Sequence, residues 1–246
     1  MSNITYQLHS CKVNLFMSFA IVISGSGSMT SHPWNNNYSK RVYQVTMSHE
    51  VTSFCDRAFE NCIYLLPFVL PNINSIPYRA FAECDSITQI DIPDSVSVIN
   101  SEAFNGCDGL TTISIPDSVT RIANYAFNNC VSLSNANLPT QLTELGRRSF
   151  AFTSISSVQI PKTLVKADYY STYSYDYNGS TYSIPDGPFY CCEKLNTASF
   201  ESGSTQVAAN IFSGCTGLQS VVIPDSVTAI KDSAFNGFKI KCCKYA

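Results

Sequence analysis

The sequence predicts an elongated solenoid, in which short coils stack along one axis and share a single interior. Two observations lead to this fold class. The first is a phenylalanine that recurs along most of the 246 residues, with other residue types held at fixed distances from it. The second is a short stretch in each unit whose apolar residues alternate with polar ones, as in a half-buried strand. Self-similarity with a period of roughly 20 to 50 residues is the signature of stacked repeats.

The repeat is marked by eight phenylalanines, with spacings of 22, 23, 23, 23, 39, 23 and 23 residues. The long spacing is one 23-residue period plus 16 extra residues. A cysteine usually follows three residues after the phenylalanine, a leucine or isoleucine six after, and a proline twelve after. The unit that starts at Phe150 is one residue short, so its proline is Pro161. The eight markers are Phe59, Phe81, Phe104, Phe127, Phe150, Phe189, Phe212 and Phe235.

Each unit is predicted to form one coil, as residues 108–116 (DGLTTISIP) illustrate. Ile113 and Ile115 alternate with polar residues, which predicts a short strand with one face inward. Pro116 ends the strand because it has no N–H to donate to a ladder, and Asp117 begins a turn held by side-chain hydrogen bonds to the backbone. One coil cannot bury its apolar face alone, so the coils are expected to stack around a shared core.

The pattern L-x-x-I-x-I-P, preceded by A-F-x-x-C, is clearest in residues 103–122 and 211–230. It resembles the BspA-like leucine-rich repeat family, which includes surface antigens, and the resemblance covers about residues 54–240. It implies an α/β-type solenoid, a leucine-rich repeat array with a parallel β-sheet on its concave face and turns or short helical or 3-10 segments on its convex face. It also implies binding rather than catalysis, so we expect no enzyme activity. The sequence departs from the pattern at Thr153, which replaces the coil cysteine.

The first 50 residues do not repeat and are predicted to form a separate N-terminal segment, followed by the solenoid over residues 51–246. Lys12 and the apolar residues 13–23, with serine and glycine after them, resemble a signal peptide. The alternative interpretation is a buried or helical segment, with residues 42–54 capping the first coil. This stretch of eleven residues, which Asn14 and Ser18 interrupt, is too short to cross about 30 Å of hydrocarbon, so no transmembrane span is expected.

The outward positions of the predicted strands form a grid of small polar side chains on the sheet face. We predict that a protein or glycan ligand contacts this grid, because it offers many hydrogen-bond donors and acceptors with little electrostatic steering. The alternative interpretation is a solvated face of residues that tolerate strand conformation. The candidate binding residues of the grid are Gln89, Asp91, Thr112, Ser114, Asn135, Asn137, Ser157 and Gln159.

A tyrosine-rich insertion at about residues 166–186 splits one unit and holds six of the fourteen tyrosines of the chain. Insertions in repeat arrays form loops, often on the binding face, and tyrosine with serine, glycine and asparagine is the composition of antibody contact loops. Tyr173, Tyr175 and Tyr177 are therefore further candidate binding residues. Their alternation before the Asn-Gly pair at Asn178 also fits a β-hairpin whose tyrosines cover neighbouring apolar surface.

Several function classes are excluded by the composition. All three histidines lie before residue 50, so a histidine-dependent catalytic or metal site is not expected in the repeats. No two cysteines have C-x-x-C spacing, which argues against zinc fingers and thioredoxin-like redox sites. The net charge of −3 comes without a basic patch, so nucleic acid is not an expected partner. We expect no cofactor and no metal, and we expect buried free thiols in the stacked cysteines, since their Cβ vectors point the same way.

We therefore predict a non-catalytic binding or adhesion protein, located at the cell surface or secreted. Its expected ligand is a protein or a glycan, of a host or of an extracellular matrix. The alternative is a cytoplasmic leucine-rich repeat scaffold or adaptor that uses the same face for protein–protein contact. Cellular location distinguishes the two functions.

Overall fold

The molecule, seen in a computed structural model, is a parallel β-solenoid of the leucine-rich repeat type. The predicted stacking of coils is confirmed, because strands one repeat apart pair in parallel. The structure describes the backbone of residues 4–8, 11–15, 20–32, 34, 39–167, 174–177, 180–183, 186–237 and 244–245. It describes the side chains of residues 20–32, 34, 39–167 and 186–237.

Six described strands precede the first repeat: β1 (Ile4–Leu8), β2 (Cys11–Leu15), β3 (Ala20–Gly25), β4 (Gly27–Ser28), β5 (Gln44–Met47) and β6 (Val51–Ser53). β1, β2 and β3 pair antiparallel, whereas β3 pairs in parallel with β5 and β4 in parallel with β6. Ala20 lies opposite Gln44, a separation of 24 residues that is close to the repeat period. The two parallel pairings, β3 with β5 and β4 with β6, continue the parallel stack ahead of the first repeat. The apolar residues 13–23 thus contribute to β2 and β3, and their interpretation as a leader stays a prediction.

The described strands from the first repeat onward form two rows of parallel strands and one hairpin. In chain order they are β7 (Ser75–Ile76), β8 (Val98–Ile99), β9 (Thr112–Ser114), β10 (Arg121–Ile122), β11 (Asn135–Asn137), β12 (Glu144–Leu145), β13 (Ser157–Ile160), β14 (Lys166–Ala167), β15 (Ser174–Tyr177), β16 (Ser180–Ser183), β17 (Thr197–Phe200), β18 (Gln206–Val207), β19 (Ser220–Ile223), β20 (Ala229–Ile230) and β21 (Lys244–Tyr245). The first row, which we call the first sheet, contains β9, β11, β13, β17, β19 and β21. The second sheet contains β7, β8, β10, β12, β14, β18 and β20.

The first sheet consists of the strands that the sequence predicts, whereas the second sheet was not predicted. In the first sheet Thr112 lies opposite Asn135, one repeat further along the chain. The second sheet comes from the segment after each turn, where buried Ile122 pairs with Ile99 on one side and Leu145 on the other. Its strands are two residues long, which is too short for an alternating pattern to be recognised in sequence.

The side of each coil that carries the phenylalanine is built from turns, and the expected helical or 3-10 segments are not confirmed there. The 3-10 helix of the described residues, Ser39–Arg41, precedes the first repeat. Residues two before and two after the phenylalanine have a left-handed backbone in every coil except that of Phe189, where only the later one does, and Glu102 (φ 56°) and Gly106 (φ 73°) show this around Phe104. A helix needs consecutive right-handed residues. The Phe104 N–H therefore donates to the Ala126 carbonyl of the next coil, at 2.8 Å.

The eight marker phenylalanines form a stacked column through the core, as the repeat predicts. Neighbouring ring centroids lie between 5.0 and 5.8 Å apart along the whole column. Trp34 extends the column, because its indole stacks on Phe59 at 5.6 Å and its Nε1 donates to the Ala58 carbonyl at 2.7 Å. The sequence analysis missed Trp34 because this residue lies in a polar stretch outside the repeat.

The coil that starts at Phe150, which we call the short coil, interrupts both sheets. One residue separates Thr153 from Ile155, whereas two separate Cys130 from Leu133 in the preceding coil. In the first sheet β11 and β13 form no ladder, although β13 pairs in register with β17. In the second sheet β12 still pairs with β14, and the break falls between β14 and β18, where the insertion leaves the coil. The missing residue thus opens the first sheet, and the insertion opens the second.

Candidate functional site

All eight side chains of the predicted grid are exposed, and six of them belong to β9, β11 and β13 of the first sheet. Asp91 forms a single parallel bridge to Ser114, and Gln89 lies outside the strands. Burial alternates along the strands, as in β9, where Ile113 is buried between exposed Thr112 and Ser114. The grid divides into three groups. Asn135, Asn137, Ser157 and Gln159 line one groove, Gln89 and Asp91 line a smaller pocket, and Thr112 and Ser114 line neither. Ligand binding by these residues stays a prediction.

The groove, which we call the sheet groove, has a volume of about 790 Å³ and crosses four strands of the first sheet. This volume lies within the range of roughly 300 to 1,000 Å³ that is typical of ligand clefts. β11 and β13 supply the four grid residues, on the two sides of the break in the sheet. β17 and β19 supply the equivalent outward side chains of the next two coils, which are Thr197, Ser199, Ser220 and Val222.

Among the residues that the structure describes, one ionisable side chain lines the sheet groove, that of Glu201, and its carboxylate is already engaged. It accepts a hydrogen bond from the Lys162 backbone N–H at 3.0 Å, and the Lys162 ammonium lies 3.4 Å away. The Lys162 N–H holds the pKa of Glu201 below its ordinary value. Amides, hydroxyls and small apolar groups make up the rest of the lining. The groove therefore has little charge with which to select an ionic ligand.

The predicted hairpin in the insertion is confirmed, because β15 pairs antiparallel with β16 and Tyr175 lies opposite Tyr182. The side chains of Tyr173, Tyr175 and Tyr177 lie outside the described residues. Their role as binding residues therefore stays a prediction. Replacing the three tyrosines by alanine distinguishes contact with a ligand from coverage of apolar surface.

A buried ion-pair cluster joins the two ends of the split unit, and the sequence analysis missed it. Asp186 is 1% exposed and accepts a hydrogen bond from Arg147 Nε at 2.8 Å. Arg148 Nε lies 2.9 Å from the same carboxylate, and its guanidinium lies over the Tyr190 ring. Arg147 and Asp186 are 39 residues apart in sequence. The cluster therefore anchors the chain where it returns from the insertion.

The stacked cysteines are buried free thiols, as expected. Those of Cys84, Cys107 and Cys130 each donate to a phenylalanine carbonyl of the preceding coil, at 3.0 to 3.1 Å. In the short coil Thr153 takes this position, and its hydroxyl donates to the Phe150 carbonyl at 2.9 Å. No group of three potential metal ligands occurs among the side chains that the structure describes.

The buried thiols are expected to make the fold sensitive to alkali. Burial raises the pKa of Cys192 to about 11 and that of Cys215 to about 12, from an ordinary value of 9.0. The thiols of the unfolded chain therefore lose their protons at a lower pH than those of the folded chain. The contribution of the two protonated thiols to the free energy of unfolding is complete below pH 9.0, and it is lost as pH rises toward the folded pKa values. Each such thiol is expected to lower the free energy of unfolding by about 1.4 kcal/mol per pH unit in this window.

Urea titrations at a series of pH values check this effect, with Cys192→Ser as the matched variant. Its hydroxyl still reaches the Phe150 carbonyl, which the Cys192 thiol contacts at 3.0 Å, but it does not ionise in this range. We expect a shallower pH dependence for this variant above pH 9.0. Parallel curves for the two proteins would contradict the expected contribution of Cys192.

A family model for the BspA type leucine rich repeat region matches the chain in six copies, over residues 35–105, 52–178 and 182–246. No curated protein matches the sequence. Within the described part of the chain, no helix is long and apolar enough to cross a membrane.

Two solved structures show the same fold. One is a leucine-rich repeat protein from Eubacterium ventriosum, with a TM-score of 0.54 and 20% identity, covering 97% of this chain and 64% of that one. The other is a leucine-rich repeat protein from T. pallidum, with a TM-score of 0.54 and 19% identity, covering 94% of this chain and 88% of that one. The chain thus spans slightly less than two thirds of the Eubacterium protein. At these identities the likeness shows the fold alone.

Proposed function

The chain belongs to the BspA-type leucine-rich repeat family, and we propose that it is a binding and adhesion protein that recognises a protein or a glycan. Repeats of this family form protein-interaction modules and are typically non-catalytic. The finer proposal is that recognition uses the sheet groove together with the tyrosine-rich insertion. We place this activity at the cell surface or in the secreted space, which the resemblance to surface antigens supports.

The observation that carries this proposal is the convergence of polar side chains from four strands in one groove of about 790 Å³. The strands that supply them belong to a stacked array whose core column and interstrand pairings hold them in place. A rigid array loses little conformational entropy when it binds, so a modest set of hydrogen bonds suffices for useful affinity. Catalysis has less support, because the single ionisable group of the groove, Glu201, is paired with Lys162.

The insertion supports the same proposal by its position in the chain. It leaves the short coil, which also supplies Ser157 and Gln159 to the sheet groove. Tyrosines contribute large contact areas at low entropic cost, and truncating a central one commonly weakens binding by more than about 1 kcal/mol. We propose that the hairpin reaches a bound ligand from beside the sheet groove, whose described lining contains no aromatic side chain.

Replacing Tyr173, Tyr175 and Tyr177 together by alanine is expected to weaken binding at least about tenfold, while leaving the melting temperature nearly unchanged. The chain is screened against immobilised extracellular matrix proteins and glycans, and the affinity of each captured partner is measured for both proteins. Tyr64→Ala serves as control, because this side chain is 59% exposed and lies in the first repeat. A large loss of stability with unaltered affinity would show that the trio is structural.

A further inference from the structure

The sheet groove lies on the break in the first sheet, and the break determines what the floor of the groove offers. β11 and β13 form no ladder with each other, in contrast to β13 and β17. Ala136 and Val158, which are inner residues of β11 and β13, line the groove. Each of them carries a backbone donor and acceptor. Ala136 pairs with Ile113 and Val158 with Ala198, so the floor at the break is formed by the facing edges of two ladders.

The side chains that flank the break are suited to hydroxyl groups. Asn135, Asn137 and Gln159 each present an N–H₂ donor and a carbonyl acceptor, and Ser157 presents a hydroxyl that does both. All four are exposed, and none makes a side-chain hydrogen bond to another part of the chain that the structure describes. Their hydrogen-bonding capacity is thus available to a ligand.

The lining disfavours the other ligand chemistries. An anion would find no lysine or arginine among the described lining residues, and the nearby Lys162 ammonium is already paired with Glu201. A cation would compete with Lys162 for that carboxylate. An aromatic ligand would find no aromatic side chain among the described lining residues. A strongly apolar ligand would find little apolar surface, because the most exposed apolar side chain of the lining is Val222, at 43% exposure.

We infer that the ligand of the sheet groove is an uncharged glycan, seated across the break between β11 and β13. This inference rests on the proposed function and specifies its ligand class. A neutral glycan presents adjacent hydroxyls that both donate and accept, and the amides of Asn135 and Gln159 match this chemistry on either side of the break. Protein partners usually insert aromatic or arginine anchors into well-packed pockets, which the lining of this groove does not provide.

The test measures binding of the full chain to neutral oligosaccharides of glucose, galactose and mannose, to sulfated forms of the same oligosaccharides, and to uncharged peptides. Asn135→Ala combined with Gln159→Ala is the groove variant. Gln44→Ala combined with Thr46→Ala is the matched control, because these side chains are exposed outward residues of β5, outside the groove and outside the predicted grid. All four side chains are exposed, so both variants are expected to fold, and melting curves check this.

We expect at least one neutral oligosaccharide to bind, with affinity reduced about tenfold in the groove variant and unchanged in the control. Its affinity should be insensitive to salt, because no charged contact contributes. Preference for the sulfated forms, binding of peptides alone, or equal affinity of the groove variant and the parent chain would overturn the inference. If matrix proteins bind and neutral glycans do not, the inference fails while the proposed function stands. If no probe binds at all, both fail.

Discussion

Replacing Phe127 by alanine lowers the free energy of unfolding by about 3–5 kcal/mol, the largest loss that we expect from a single core substitution. The ring is fully buried in the middle of the column, 5.2 Å from the Phe104 ring and 5.0 Å from the Phe150 ring. Its removal leaves a cavity that faces both neighbours. In a stacked array each coil is stabilised by the contacts with its two neighbours, so one substitution weakens two coil–coil interfaces.

The matched control is Phe152→Ala, which removes the same side chain two residues after the column, where the ring is 40% exposed. Here the free energy of unfolding should fall by about 1–2 kcal/mol, clearly less than for Phe127→Ala, because this side chain is only partly buried. Urea denaturation followed by circular dichroism measures both. Similar losses for the two variants would mean that the stacked column is not the main source of stability.

Replacing Asp186 by alanine is expected to lower the free energy of unfolding by about 3–5 kcal/mol. The carboxylate is 1% exposed and faces the guanidinium groups of Arg147 and Arg148. Its removal takes the balancing carboxylate from two guanidinium groups that are 10% and 25% exposed, and this costs more than the loss of the attraction itself. The variant also loses the contacts that hold the C-terminal end of the insertion to Arg147 and Arg148. Limited proteolysis should therefore cut the region of residues 168–185 faster.

Glu201→Gln is the corresponding control, since it removes one partner of the ion pair with Lys162, which is 53% exposed. Solvent screens such a pair, so this variant should keep nearly full stability. An equally small effect for Asp186→Ala would show that the insertion is held by other contacts and that the buried pairs are dispensable.

The parts of the fold that the sequence predicts are those that each unit encodes locally. The column of phenylalanines, the buried cysteines and the first sheet all follow from fixed spacings within one repeat, as Phe104, Cys107 and Ile113 show. A residue that recurs at the same position in every coil must lie in a line along the stack. The hairpin of the insertion was predictable for a similar reason, because alternation and a turn signal occur within a few residues.

The missed features depend on contacts between units or on departures from the repeat. The second sheet has strands of two residues, which leave no periodic signal. Trp34 joins the column from outside the repeat, and Asp186 meets Arg147 across 39 residues of chain. The helical or 3-10 expectation for the turn side was not confirmed, because left-handed residues such as Glu102 and Tyr125 interrupt each turn.

By itself, the sequence determined that this protein is a stacked array with an aromatic column and a polar strand face, because these properties depend only on residue type and period. The tertiary structure decided where on that face a groove forms. The groove exists where the short coil fails to pair with its neighbour, between Asn137 and Ser157. Pairing between two coils depends on their relative register, and the pattern within either coil does not specify it.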